Sequence, residues 1–96
     1  MARRHYMIAY DVSDDKRRSR VFDTLTDHGE HVQYSVFFCE LSDQEWVRLR
    51  GVLADLIDAK SDQIIALDLG EVQNPLEGIL ECLGRRYNPG SRVQVV

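Results

Sequence analysis

The order of strand-like and helix-like patterns constrains the fold of this chain more than any other feature of its sequence. Residues 5–12, 30–41 and 63–69 have the β-branched and aromatic composition that is typical of strands. Two amphipathic patterns with the three- and four-residue spacing of a helix lie between them. We therefore expect the order strand, helix, strand or strand pair, helix, strand.

The first helix pattern follows the first strand directly. Ser13 is predicted to cap this helix, and Asp14 and Asp15 in its first turn favour the positive end of the helix dipole. Gly29 is predicted to end the helix as a left-handed residue. The apolar stripe of the helix consists of Val21, Phe22 and Leu25.

The second helix pattern has a strong start signal. Ser42 followed by Glu45 forms a capping box, and Leu41 before the cap can pack on Trp46 as a hydrophobic staple. The core-facing stripe ends near Lys60 and consists of Trp46, Leu49, Leu53, Leu56 and Ile57.

The long strand-like segment between the helices decides the topology. Its alternation places Val32, Tyr34, Val36 and Phe38 on one face. A bend within residues 33–35 would split it into two short strands. The order then becomes the split βαβ, ferredoxin-like βαββαβ order of an α+β domain, with a four-stranded antiparallel sheet and both helices on one face.

The C-terminal part has a weaker pattern. The 96 residues suit a single domain with a core of about residues 1–70. Residues 71–91 are either a short helix that starts at Asn74 and Pro75 or an irregular excursion. Residues 92–96, "RVQVV", regain strand character.

The sheet has more apolar side chains than one covered face can hide. Tyr6, Ile8 and Tyr10, together with Phe37 and Cys39, leave too much apolar surface for both faces to contact water, so a partner chain is expected to cover one of them. We therefore expect a homodimer, in which the terminal strand pairs with the sheet edge of the partner subunit.

Composition favours a cytoplasmic module without a membrane segment. No apolar run approaches the roughly 18 residues of a membrane helix. The N-terminal stretch reaches Tyr10 and Asp11 too early for a secretory signal. A net charge of −4 and a pI near 5.2 argue against a surface coated in positive charge. Any anion binding must therefore be local.

The cysteines and histidines show no metal-binding pattern. Cys39 and Cys82 are predicted to pack in the core as small apolar residues. His5, His28 and His31 lack zinc-site spacing and are predicted to lie at the surface or to be partly buried.

Asp11 is the strongest candidate for metal chemistry, because it lies where a mostly apolar strand ends. Magnesium takes one or two carboxylates and keeps several waters, so one aspartate per chain makes a poor site. Two copies of Asp11 at a two-fold axis can bind one divalent ion and activate water. The alternative is that Asp11 only hydrogen-bonds the backbone of the turn after the strand.

A basic cluster follows Asp11 on the first helix turns. Arg17, Arg18 and Arg20 spread over at least two directions, and some can contact a phosphate bidentately. The alternative is a solvated face that is paired with the neighbouring aspartates Asp14, Asp15 and Asp23.

Two stretches resemble the CRISPR-associated protein 2 family, the smaller of the two proteins that nearly all CRISPR systems use to acquire new spacers. They are "YDVSDDKRRSRV" at the end of the first strand and "GEHVQYSVFFCEL" after the first helix. The family pattern is a strand that ends in Tyr-Asp, an arginine-rich helix start and a Gly-x-x-x-Gln-x-Ser-Val-Phe block. The resemblance covers about the first 70 residues well and the last five loosely.

The resemblance implies a ferredoxin-like homodimer in which Asp11 of each subunit faces the interface and binds a shared Mg²⁺. It implies that Arg18 and Arg20 contact nucleic acid and that Tyr10 and Phe37 line the same region. Members are described as metal-dependent endonucleases on single-stranded RNA or double-stranded DNA, and as the bridge between two integrase dimers. The chain departs from the pattern at His31, where many relatives carry a basic residue.

Two function classes follow. As an enzyme, the dimer would hydrolyse phosphodiesters weakly at best, since the sequence shows one acidic candidate per chain and no obvious general base. As a bridge, it would bind duplex DNA and hold the integrase subunits apart, and we favour this role. A small-molecule-binding regulatory domain of the same fold is a third interpretation, which would need an apolar pocket that nothing in the sequence indicates.

Overall fold

A computed structural model of the chain describes residues 2–87. The elements follow the predicted order: β1 (Arg4–Asp11), α1 (Asp15–Thr26), β2 (Gly29–Gln33), β3 (Val36–Leu41), α2 (Asp43–Leu56), β4 (Gln63–Glu71) and a 3₁₀ turn (Leu76–Gly78). The predicted terminal strand at 92–96 lies outside the described residues. Between residues 2 and 87, no helix has the length and apolar content needed to cross a bilayer.

The four strands form one sheet in the order β2-β3-β1-β4, and every neighbouring pair is antiparallel. Both helices pack on the same face, where they bury the core. This confirms the predicted α+β, ferredoxin-like fold. The strand that carries Asp11 is central, with β3 on one side and β4 on the other.

The core lies between the sheet and the two helices. The sheet contributes alternate residues of β1 and β3, and each helix contributes its predicted stripe. The buried members are Tyr6, Ile8, Tyr10, Phe37, Cys39 and Leu41 from the strands and Val21, Leu25, Leu49 and Leu53 from the helices. The predicted helix stripes are therefore confirmed, with Phe22, Trp46, Leu56 and Ile57 partly buried against the core.

The N-cap of α1 differs from the prediction. Asp14 is the N-cap, because its side chain accepts a 2.9 Å hydrogen bond from the backbone N–H of Arg17. Ser13 was the wrong choice. The backbone N–H of Ser13 instead donates to the carboxylate of Asp62 at 3.2 Å. In α2, the predicted capping box of Ser42 and Glu45 is confirmed in both directions.

Gly29 does not end α1 as a left-handed residue, so that prediction was wrong. The helix C-cap is Asp27, in the right-handed region, and Gly29 already belongs to β2. A Cβ at Gly29 would lie 2.4 Å from the Sγ of Cys39 and 2.5 Å from the carbonyl oxygen of Phe38. Glycine is required here by the close approach of β3.

The burial of cysteine and histidine was predicted only in part. Cys39 is 2% exposed, as predicted, and burial raises the pKa of its thiol to about 11. Cys82 is exposed, so its predicted core position was wrong. His5 is buried rather than at the surface, and its Nε2 lies 3.1 Å from the carbonyl oxygen of Asn74.

The predicted split of the long strand-like segment is confirmed. A turn at Tyr34 and Ser35 separates β2 from β3. Because of this turn, Tyr34 does not share a sheet face with Val36 and Phe38 as the alternation predicted. Its side chain is 95% exposed at the tip of the hairpin.

The face of the sheet that carries no helix, called the helix-free face below, has two apolar rows. Since side chains directly opposite each other share a face, Met7 lies between Phe38 and Leu67, and Ala9 lies between Val36 and Ile65. Ile65 and Leu67 are each 47% exposed. The residues named for the apolar excess in the sequence, Tyr6, Ile8, Tyr10, Phe37 and Cys39, do not lie here, so that assignment was wrong: all five are buried in the core on the helix side. The apolar surface of the helix-free face comes instead from their neighbours along the strands.

Residues 72–87 pack against part of the helix-free face. Val72 donates a 2.9 Å backbone hydrogen bond to Arg3, and the Tyr87 ring contacts Phe38 edge-on at 5.5 Å. The Tyr87 hydroxyl donates to Glu30, and burial and that carboxylate raise the pKa of Tyr87. Apart from the 3₁₀ turn, this segment is the irregular alternative. It covers the β2–β3 side and leaves the β1–β4 side open.

Candidate nucleic-acid interface

The predicted site residues converge at one end of the molecule, called the β1 end below. There β1 finishes at Asp11, α1 begins, and the β2–β3 turn lies alongside. The backbone N–H of Tyr10 donates to the carbonyl oxygen of Ser35 at 3.1 Å, which joins the turn to β1. Asp11 lies opposite Gln63, the first residue of β4.

Asp11 lies on the helix-free face and is exposed. Its face follows from the alternation of β1, because Met7 and Ala9 point the same way and Tyr10 points into the core. Among residues 2–87, its carboxylate has no hydrogen bond to the turn that follows, so the purely structural alternative has no support there. Within the same residues, no three metal-ligating side chains group together. One chain therefore offers one carboxylate at this position.

Arg17 is engaged in a largely buried ion pair. Its Nε and Nη2 donate to the two carboxylate oxygens of Asp62 at 2.8 and 3.2 Å, and the Asp62 side chain is fully buried. Asp62 also accepts from the backbone N–H of Asp58 at 2.9 Å. The Arg17 guanidinium and these backbone donors hold the pKa of Asp62 far below its usual range. Arg17 thus ties α1 to the loop before β4.

Arg18 and Arg20 are the more accessible cations of the cluster. The Arg18 Nη1 donates to the carbonyl oxygen of Val12 at 3.0 Å, and its Nη2 pairs with Asp15. Asp15 is 90% exposed, so this pair is weak and a phosphate can replace the carboxylate. The Arg20 side chain is also exposed.

Tyr10 and Phe37 are core residues that pack beneath the surface of the β1 end. They are 8% and 0% exposed, and their rings lie 6.4 Å apart. The pKa of Tyr10 is raised by burial, and the positive charge of nearby Arg18 offsets only part of that rise. Phe37 also meets Phe22 edge-on at 5.5 Å. Tyr10 reaches the surface cavity described next, whereas Phe37 acts as packing beneath it.

A cavity of about 340 Å³ opens at the β1 end. Its lining combines two predicted residues with the β2–β3 turn and consists of Tyr10, Arg18, Ser19, Phe22, Asp23, Tyr34 and Ser35. Sequence reasoning placed Tyr34 on a sheet face and missed it here. The signal for its position was the predicted bend at residues 33–35, since a residue in a bend does not follow the alternation of a strand.

The family profile described as "CRISPR associated protein Cas2" matches residues 4–74. A Rhodospirillum rubrum protein named "CRISPR-associated endoribonuclease Cas2 1" is 34% identical over 95% of this chain and 88% of its own length. A Thermus thermophilus "CRISPR-associated endonuclease Cas2 2" is 36% identical over 88% of this chain and 86% of its own length. The crystal structure of Streptococcus pyogenes Cas2 superimposes with a TM-score of 0.72 at 33% identity, covering 83% of this chain and 99% of that one.

Proposed function

The chain belongs to the CRISPR associated protein Cas2 family, and from this membership we propose that it is a homodimer that binds nucleic acid at its β1 ends during spacer acquisition. The observation that carries the proposal is the position of Asp11. This carboxylate lies at the edge of an apolar sheet face that residues 2–87 leave half-exposed, and next to a helix that carries exposed arginines. The sheet face supports the dimer, and the helix with its arginines supports nucleic-acid binding.

The helix-free face supports the dimer. Ile65 and Leu67 stay half-exposed beside Met7 and Ala9, and such a contiguous apolar area is costly in water. A second copy would cover it through a self-complementary two-fold contact. Because Asp11 lies on the same face at the end of the central strand, this contact would bring the two Asp11 carboxylates towards one another.

A pair of Asp11 carboxylates, one from each subunit, would suit a magnesium ion better than the one carboxylate of a single chain. Mg²⁺ binds through one or two carboxylates and keeps several waters, and each chain supplies one exposed carboxylate here. The two Asp11 side chains would hold the ion, which when bound polarises a phosphodiester or activates water. Arg18 and Arg20 would position the phosphate backbone beside it, and Tyr10 would fix the strand end on which Asp11 is carried.

The same dimer can act as a bridge between integrase subunits. Each copy presents its own basic helix start, so duplex DNA would be held through phosphate contacts at two fixed places. We favour the bridge as the main role, because one carboxylate per chain makes a weak nuclease. The substrate of any cleavage is RNA or DNA. The names of the two relatives, one an endoribonuclease and one an endonuclease, match both possibilities.

Asp11→Asn tests both roles in parallel. Asp55→Asn is the matched control, because Asp55 is an exposed aspartate on α2, on the helix side of the sheet. We expect Asp11→Asn to abolish magnesium-dependent cleavage of RNA or DNA and to leave integration with the partner integrase intact. Loss of both activities would refute the pure bridge. Cleavage that Asp11→Asn leaves unchanged would remove Asp11 from the chemistry.

A further inference from the structure

Tyr34 presents an aromatic ring to solvent at the β1 end. Its side chain is 95% exposed, whereas the two tyrosines of β1, Tyr6 and Tyr10, are buried. The ring has no aromatic contact among residues 2–87. Exposing such a ring in full forgoes the apolar burial that tyrosine normally contributes. Within residues 2–87, the ring therefore contributes almost nothing to the packing of the fold.

The backbone that carries Tyr34 is held in place from both sides. The carbonyl oxygen of Tyr34 lies against the Nε2 of His31, and the next carbonyl oxygen, of Ser35, accepts the backbone N–H of Tyr10 at 3.1 Å. Tyr34 therefore lies in a short turn whose backbone is fixed by these two contacts. A platform that is ordered before binding loses less entropy when a ligand arrives.

The cavity beside the ring has a polarity that suits one nucleotide. Arg18 supplies a cation, and the Ser19 and Ser35 hydroxyls supply further donors. Asp23 is also in the lining, and its carboxylate repels a phosphate. A bound phosphate would therefore lie on the Arg18 side, and the attached base would extend towards the aromatic ring.

We propose that Tyr34 is a stacking platform for an unpaired base of the nucleic acid whose phosphate contacts Arg18. This inference rests on the proposed function and adds a preference for single strands or frayed ends. Inside a duplex both faces of each base are already stacked, so an aromatic platform gains nothing there. A protein partner fits less well, because the aromatic neighbours in the lining, Tyr10 and Phe22, are buried or partly buried. The exposed neighbours are Arg18, Ser19 and Asp23, which form no apolar patch.

The test compares Tyr34→Ala, Tyr34→Phe and the control Leu83→Ala, which removes an equally exposed apolar side chain (93%) outside the β1 end. Fluorescence anisotropy is measured with a labelled, unstructured RNA strand and with a blunt DNA duplex, over a salt series. Tyr34→Ala should raise the Kd for the single strand about 5- to 150-fold, which corresponds to the loss of one stacked base. The duplex Kd and the salt slope should stay unchanged, because no phosphate contact is lost. Tyr34→Phe should behave as the unmodified chain.

A second measurement locates the contact directly. A strand that carries 5-iodouracil should photo-crosslink to the Tyr34 peptide, as read by mass spectrometry, and Tyr34→Ala should abolish that crosslink. The inference is overturned by an unchanged single-strand Kd, by equal loss on duplex and single strand, or by a Tyr34→Ala protein that sediments as a monomer when the unmodified chain sediments as a dimer. Binding of duplex alone by the unmodified chain overturns it and leaves the proposed function standing. Binding of neither overturns both.

Discussion

Replacing Gly29 by alanine should destabilise the fold, whereas the same replacement at Gly51 should stabilise it. At Gly29 the new Cβ would lie 2.4 Å from the Cys39 Sγ, where ordinary contact begins at 3.4 Å, so about 1 Å of displacement is needed. The second contact, 2.5 Å from the Phe38 carbonyl oxygen, is to backbone that no rotamer change relieves. Overpacking of this kind costs about 1–3 kcal/mol, which for a domain of this size lowers Tm by about 5–20 °C.

Gly51 is the matched control because it lies in α2 and a Cβ there would meet no atom within 4 Å. Alanine in a helix is favoured over glycine by about 0.8–1 kcal/mol, so Tm should rise by about 3–8 °C. Thermal unfolding is followed by far-UV circular dichroism at one protein concentration, since the Tm of a dimer depends on it. A Gly29→Ala protein as stable as the unmodified chain would refute the requirement for close approach. Cys39→Ala in the same chain should restore only part of the loss, because the Phe38 contact remains.

Three further outcomes follow from the packing and the charges. Leu67→Lys on the helix-free face should turn the proposed dimer into a monomer in sedimentation velocity, whereas Val52→Lys on α2 should not; a dimer in both would place the interface elsewhere. The lowered pKa of Asp62 means that its carboxylate stabilises the fold above its ordinary pKa of about 3.9, with the contribution lost as pH falls below that value. The stability gap between the unmodified chain and Asp62→Asn in urea unfolding should therefore shrink from about pH 6 to about pH 2, and a constant gap would contradict this. Arg18→Ala should lower the slope of log K against log salt for duplex DNA by about one phosphate contact. An unchanged slope would mean that Arg18 is a solvated surface residue that contacts no phosphate.

Local signals predicted most of the fold. The capping box at Ser42 and Glu45, the helix stripes and the hairpin bend depend on neighbours within a few residues, and each is confirmed. The N-cap of α1 was missed by one position, because Ser13 and Asp14 are both good caps. In the structure the Ser13 backbone N–H and hydroxyl both donate to Asp62, which lies far along the chain, and Asp14 caps the helix.

The candidate site was predicted in its residue types more than in its contacts. Asp11 was placed correctly at a strand end, since strand ends are visible in the hydrophobic pattern. The partner of Arg17 was missed, because Asp62 lies 45 residues away and only the folded chain brings the two together. The role of Gly29 was missed for the same reason, since it depends on a strand that passes within van der Waals distance.

Cys39 packs against Gly29 in the core, and its thiol can therefore report when the core opens at β3. A thiol reacts as its thiolate, so a buried thiol with a pKa near 11 is protected from alkylating reagents while the core between β3 and the helices stays closed. The exposed Cys82 in the same molecule reacts at once and calibrates the reagent. The slow second labelling event would then time the opening of the core beneath β3, the strand that follows the turn carrying Tyr34, with and without nucleic acid, and no added probe is needed.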